Sequence, residues 1–261
     1  MAVIALCSAS GSPGVTTTAV GLALSWTRPS VLVEADPTGG SPILAGYLRA
    51  QVSPPDAMTE LSIAQQQGRL RDEIPQTVLP LPDSKVSLLP GVRSHVQGSS
   101  LIGLWDELLA ALKGLDSTGQ DAIVDLGRLG LAGAATPVLY GADLTLVVCR
   151  SDVVSLSGAR SWLATLRAEF EEFGAGTSLG LLLVGPGQPY SAKEVSSVLG
   201  VPVVATIAWD PKTAPVFRDG ERVRKFESST LVRSLRAAQE SMTDVVKANA
   251  AALNDMRGET R

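Results

Sequence analysis

The chain has 261 residues and a mass of 27.1 kDa, enough for one large domain that buries roughly three quarters of its unfolded surface. With 45% hydrophobic and 18% charged residues it is not a disordered chain, and aromatics at only 4% leave Val, Leu, Ile and Ala to build the core, which suits a parallel sheet covered on both faces. A net charge of −4 with pI near 5.1 argues against a surface that wraps nucleic acid at every face, and a lone histidine, His95, leaves almost nothing for a histidine triad or a multi-histidine metal site.

Short apolar runs bounded by turn residues predict strands at 2–7, 30–35, 85–89, 121–125, 144–149, 179–184 and 202–207. Helical spacing falls between them at 15–26, 101–115, 156–173 and 192–199. Strands alternating with helices imply crossover units, hence an α/β fold with a mostly parallel sheet of about seven strands. The two cysteines, Cys7 and Cys149, each close a strand-like run and are expected as buried thiols. The first apolar segment is too short for a secretory core or a membrane span, and no window supports a transmembrane helix, so a cytoplasmic protein is expected.

Segment 49–84 breaks the rhythm. Ser53-Pro54-Pro55 and the 79–83 stretch flank a polar helix candidate around Gln65-Gln66-Gln67, which reads as an insertion over the sheet. After Phe226, the apolar positions Leu231, Leu235, Ala238, Met242, Val245, Val246 and Leu253 predict one long helix with a single stripe, followed by a short tail (228–261). Its end, 248–256, is mostly small or polar, which does not favour a membrane-surface anchor.

The strongest chemical signal is Ala9-Ser10-Gly11-Ser12-Pro13-Gly14-Val15-Thr16-Thr17-Thr18, placed after the first strand and before the first helix. A loop there turns backbone amides toward an anion and adds the positive end of the helix dipole; a lysine and a hydroxyl then serve the terminal phosphates and Mg²⁺. The lysine is missing: Val15 follows Gly14, and the first charged residue of the chain is Arg28. Pro13 also removes one donor. What remains is Gly11, Ser12, Gly14, the hydroxyls of Thr16 and Thr17, and the dipole. Such a loop holds a nucleotide weakly or holds none; the plainer alternative is a turn that only links strand to helix cap.

Two further motifs weigh against that alternative. The run 31–40 ends a strand with Glu34 and Asp36, two apart and so on one face, at the carboxyl edge where ligands of open α/β sheets bind. The strand 121–125 ends in Asp125 before a flexible loop, the setting of a carboxylate that orients Mg²⁺ or its waters.

Together these motifs resemble the ParA/MinD family of deviant-Walker P-loop ATPases from Met1 to about Phe226. Residues 10–17 resemble the family's KGGxGKTT loop, Glu34-Ala35-Asp36-Pro37 its DxDPQ, 120–125 its DxIIID, 142–148 with Ser155-Leu156 its AD-strand-Ser-Leu stretch, and 199–211 its LGxP…IPxD segment near the adenine. The resemblance implies a three-layer P-loop NTPase-like domain over 1–227 and an ATP/ADP site with Mg²⁺. Gly11, Ser12, Gly14, Val15, Thr16, Thr17 and Pro211 would line the nucleotide; Thr16 and Asp125 would hold the metal, with Asp36 and Asp125 as catalytic acids in an active enzyme.

The departures fall on contacts to phosphate or base. The signature lysine is Ser10, the loop lysine is Val15, and the asparagine that follows the LLLV strand is Gly185. Similar degeneration occurs in TadZ/CpaE-type branches that position pilus machinery. The resemblance therefore implies a homodimeric spatial organiser with weak or no ATP hydrolysis, recruited to a pole, septum or membrane machinery through protein partners. A working ATPase switch in chromosome or plasmid partition is the alternative. Arg128 and Arg150 are candidates to replace the missing cations. The basic run 218–225 contains two acids and no aromatic ladder, so nonspecific DNA binding is not favoured.

Overall fold

The computed structural model describes residues 2–54 and 56–258. Met1, Pro55, one of the prolines expected beside the inserted helix, and 259–261, the end of the helix and tail expected at 228–261, lie outside the described residues. The elements run β1 (Val3–Ser8), α1 (Val15–Ser25), β2 (Ser30–Glu34), α2 (Ala57–Gln66), α3 (Leu70–Thr77), β3 (Leu79–Pro80), β4 (Val86–Leu89), α4 (His95–Ser100), α5 (Trp105–Lys113), β5 (Asp121–Arg128) and α6 (Thr136–Gly141). They continue with β6 (Leu144–Arg150), α7 (Val153–Glu172), β7 (Leu179–Val184), α8 (Ala192–Leu199), β8 (Val203–Ile207), α9 (Ala214–Asp219) and α10 (Thr230–Gly258).

Among the described residues eight strands form one sheet in the order β3-β4-β2-β5-β1-β6-β7-β8. All pairs are parallel except β3 with β4. The strand beyond the seven expected is β3, two residues long and carrying Pro80; it blunts its edge of the sheet because proline has no amide to offer a further strand.

The middle strands are apolar on both faces because both faces are covered. Along β1, Val3, Ala5 and Cys7 join one hydrophobic cluster while Ile4 and Leu6 join another on the opposite side, as a two-residue side-chain period requires. The first cluster takes in α5, α7 and α8 together with Ala57, Met58, Leu61, Leu70 and Ile74 of the inserted helices. The second is closed by α1, Phe217 of α9, and Leu231, Leu235, Ala238 and Met242 of α10. Each fully buried Leu or Ile contributes about 1.5–3 kcal/mol relative to exposure, so these clusters fix the layers and with them the carboxyl edge of the sheet. Both cysteines are buried and unpaired. Among the described residues no helix is long and apolar enough to cross a membrane.

Candidate functional site

The loop from β1 to α1 takes a strained path. Gly11 (φ 76°), Ser12 (φ 43°) and Gly14 (φ 99°) are all left-handed, a conformation that costs little for glycine and is uncommon for serine. Gly14 occupies the N-cap of α1 without a side-chain cap, leaving the first amides of the helix open to an anion. Val15 is buried in the cluster with Ile4 and Leu6, so the side chain at the lysine position belongs to the core. Ser10, at the other lysine position, rests on α7: a methyl on Gly158 would stand 2.0 Å from its Oγ.

Acids gather beside this loop. Asp125 is fully buried at the carboxyl end of β5, accepts a hydrogen bond from the Gly127 amide (2.9 Å) and has the Thr16 hydroxyl beside it. Burial nevertheless pushes its carboxyl up to about 6, and Asp36 adds to the rise. Asp36 accepts from the amide and hydroxyl of Thr38 at 2.9 and 2.8 Å, and its carboxylate lies against Gly127, where an added Cβ would be 2.1 Å from Oδ2.

Glu34, opposite Asp125 in the β2–β5 register, faces its own donors. It accepts from Ser41 Oγ (2.5 Å) and from the amides of Gly91 (3.2 Å) and Ile43 (3.3 Å), yet desolvation raises it to about 7. It therefore clamps the chain after β2 to the end of β4. Spacing along β2 placed Glu34 at the edge but carried no sign of these partners.

Of the two candidate replacement cations, Arg128 is exposed and Arg150 is engaged elsewhere. The Arg150 guanidinium stacks 3.9 Å from the centre of the Trp209 ring and lies 3.9 Å from Asp152. Trp209 falls inside the 199–211 stretch read from the sequence as the segment near the adenine, but of that stretch only Pro211 was expected to line the nucleotide. Trp209 borders a cavity of about 300 Å³ that begins at Ser12, Gly14 and Thr17 and ends at Pro211 and Phe217. Three loop residues and Pro211 thus share one cavity wall, whereas Gly11, Val15 and Thr16 do not line it.

No group of three or more His, Cys, Asp or Glu among the described residues is arranged to hold a metal. Thr16, Asp125 and nearby Asp36 form an oxygen-donor set that suits Mg²⁺, which is commonly held by one or two carboxylates with phosphates and waters completing the shell. The arrangement fits the metal better than it fits a bare triphosphate, because the carboxylates are present and no cation opposes the phosphates.

No protein-family model and no curated protein matches the sequence. Solved structures do. The septum site-determining protein MinD complexed with Mg-ADP from Pyrococcus horikoshii OT3 is similar at 18% identity and TM-score 0.70, over 95% of this chain and 98% of that one. MinD in the MinC:MinD cell division protein complex of Aquifex aeolicus is similar at 17% identity and TM-score 0.69, over 94% and 96%. A ParA family ATPase from Chlorobium tepidum TLS is similar at 17% and TM-score 0.68, over 91% and 98%. Likeness at this level over nearly the whole of each chain defines the architecture: this protein has the three-layer α/β fold of the MinD and ParA ATPases.

Proposed function

We propose that the protein is a positioning or scaffold protein on the MinD/ParA fold, whose nucleotide site is too poor in positive charge for ordinary hydrolytic cycling. The observation that carries this reading is the fate of the two lysine positions: Val15 is committed to the core and Ser10 to the surface of α7. A charge-assisted hydrogen bond of the missing kind contributes about 1.5–3 kcal/mol. ATP or ADP with Mg²⁺ is the ligand of this site, held weakly by Ser12, Gly14, Thr17, the open amides of α1 and Pro211, with the metal on Thr16 and Asp125.

The partners are a second copy of the chain and proteins of a septum, pole, pilus or secretion assembly. Supporting this, Val96 and Val153–Val154 are exposed at the starts of the two helices that follow β4 and β6, at the carboxyl edge; Val154 is 80% exposed. DNA is not favoured: within the basic run Arg218 is already bound to Asp219 by two guanidinium nitrogens.

A second reading, an active Mg-ATP switch in partition, draws on the Thr16 hydroxyl beside Asp125 and the adjacent Asp36, in which Asp36 and Asp125 act as the catalytic acids. Equilibrium dialysis with labelled ATP, with Mg²⁺ or EDTA, together with steady-state phosphate release separates the two. The scaffold reading expects weak, Mg²⁺-dependent binding with negligible turnover. Brisk turnover abolished by Thr16→Ala would make the protein a working switch.

A further inference from the structure

The β6–β7–β8 register sets Arg150, Val184 and Ile207 side by side at the carboxyl edge. Ser151 and Gly185, one residue on, and Trp209, two residues on, therefore form the rim beyond these strands. The cavity that begins at the phosphate loop reaches this rim at Trp209 and is lined by Val184, Ile207 and Pro211, and at about 300 Å³ it is large enough for a small ligand.

The two polar side chains that line the cavity at this far end, Asp210 and Arg218, are already engaged. The Asp210 carboxylate accepts from Thr213, from the Lys212 amide and from Thr230. Arg218 is bound to Asp219. Gly185 offers no side chain, and even a methyl there would stand 3.1 Å from Trp209 Cβ and 3.3 Å from Gln188 Oε1, so these two side chains fill the approach that a longer residue would need.

The remaining group with a large recognition surface is the Trp209 indole, 43% exposed. It borders the cavity, whereas Arg150 does not; the guanidinium lies on the ring from outside and, held near Asp152, fixes the ring's orientation. We propose that Trp209 is the platform on which the base of a bound nucleotide stacks, and that the site accepts adenine and guanine nucleotides alike. This rests on the nucleotide reading above. Base–aromatic stacking tolerates any base because each has a π-face, while discrimination needs hydrogen bonds to the base edge.

The test is equilibrium dialysis of the full chain with Mg-ATP and Mg-GTP, alongside tryptophan fluorescence. Of the other three tryptophans Trp26 and Trp105 are buried and Trp162 is half-buried against Gly130, so the part of the quenching that is lost in Trp209→Phe reports on this ring. The expected result is ATP and GTP affinities within about threefold, both weakened roughly 5- to 150-fold by Trp209→Ala and largely kept by Trp209→Phe. Circular dichroism confirms that both variants fold. If the wild type binds nucleotide but Trp209→Ala binds equally well, or ATP is preferred by more than about tenfold, the stacking assignment is overturned while the nucleotide reading stands. If the wild type binds neither nucleotide, both are overturned.

Discussion

Glu34 and Asp125 stand opposite each other in adjacent strands, buried, with hydrogen-bond donors but without a cation among their partners. For both, loss of water outweighs the donors and the folded protein holds the proton more tightly than the unfolded chain. The sign follows from linkage. The folded state binds more protons than the unfolded state between the ordinary carboxylate range and about 6 to 7, so stability declines as pH rises through that window and is unaffected by these groups below about pH 4. For Glu34 the effect is on the order of 3 kcal/mol at full ionisation. Urea unfolding in EDTA at pH 5, 6, 7 and 8 should show a falling stability, and Glu34→Gln, which removes the charge and keeps the size, should flatten the slope; an unchanged slope would show that Glu34 is not its source. The positions of both acids were legible, since each ends an apolar strand. Their partners were not, because Ser41, Ile43 and Gly91 reach Glu34 through turns that no spacing rule encodes.

Three loops at the carboxyl edge meet on the short helix α4. Gly98 of α4 packs against Pro37 from the loop that carries Asp36, and Gly133, from the loop beyond Asp125, lies on the backbone of Gly98 and Ser99. The inserted segment is tied to the same helix, with the Asp56 carboxylate accepting from Gln97 at 2.9 and 3.0 Å and Arg93 donating to the Pro54 carbonyl at 2.7 Å. Sequence pattern found the strands and the long helices because burial imposes a period on them. It missed α4, whose residues His95–Ser100 bury only Gly98 and so show no stripe. A substitution at Gly133 therefore tests an element that periodicity cannot see. An added Cβ would stand 2.6 Å from the Gly98 carbonyl carbon, against backbone that has nowhere to move, and the residue has φ 80°. Gly133→Ala should cost about 1–3 kcal/mol and raise amide hydrogen exchange across 94–100, whereas exchange unchanged there would mean that the contact does not hold α4 in place.

At the scale of the molecule, α10 closes one face of the sheet and then outruns it. Leu231, Leu235, Ala238 and Met242 are buried, Val245 and Val246 pack at the margin, and from Ala250 to Asp255 every residue is exposed, Leu253 by 54%. The apolar stripe read from the sequence identified the correct face for Leu231 to Val246, but it extended to Leu253 because periodicity reports which side of a helix is apolar and not where the surface beneath it stops. At 1.5 Å per residue the exposed run extends about 9 Å past the last packed turn. The terminal part and the packed part should therefore separate energetically. A chain ending at Ala250 keeps the Asn249 hydrogen bond to the Thr177 carbonyl (3.1 Å), and its melting temperature should stay within about 2 °C of the full chain, as expected when only surface is removed. Leu235→Ala, by contrast, empties a buried site between α10 and α1 and should cost about 2–5 kcal/mol. Calorimetry of the two variants decides the point: a large loss of stability on truncation would mean that the outer turns pack on something the monomer alone does not provide, such as a second copy of the chain, and that loss would shrink as the protein is diluted.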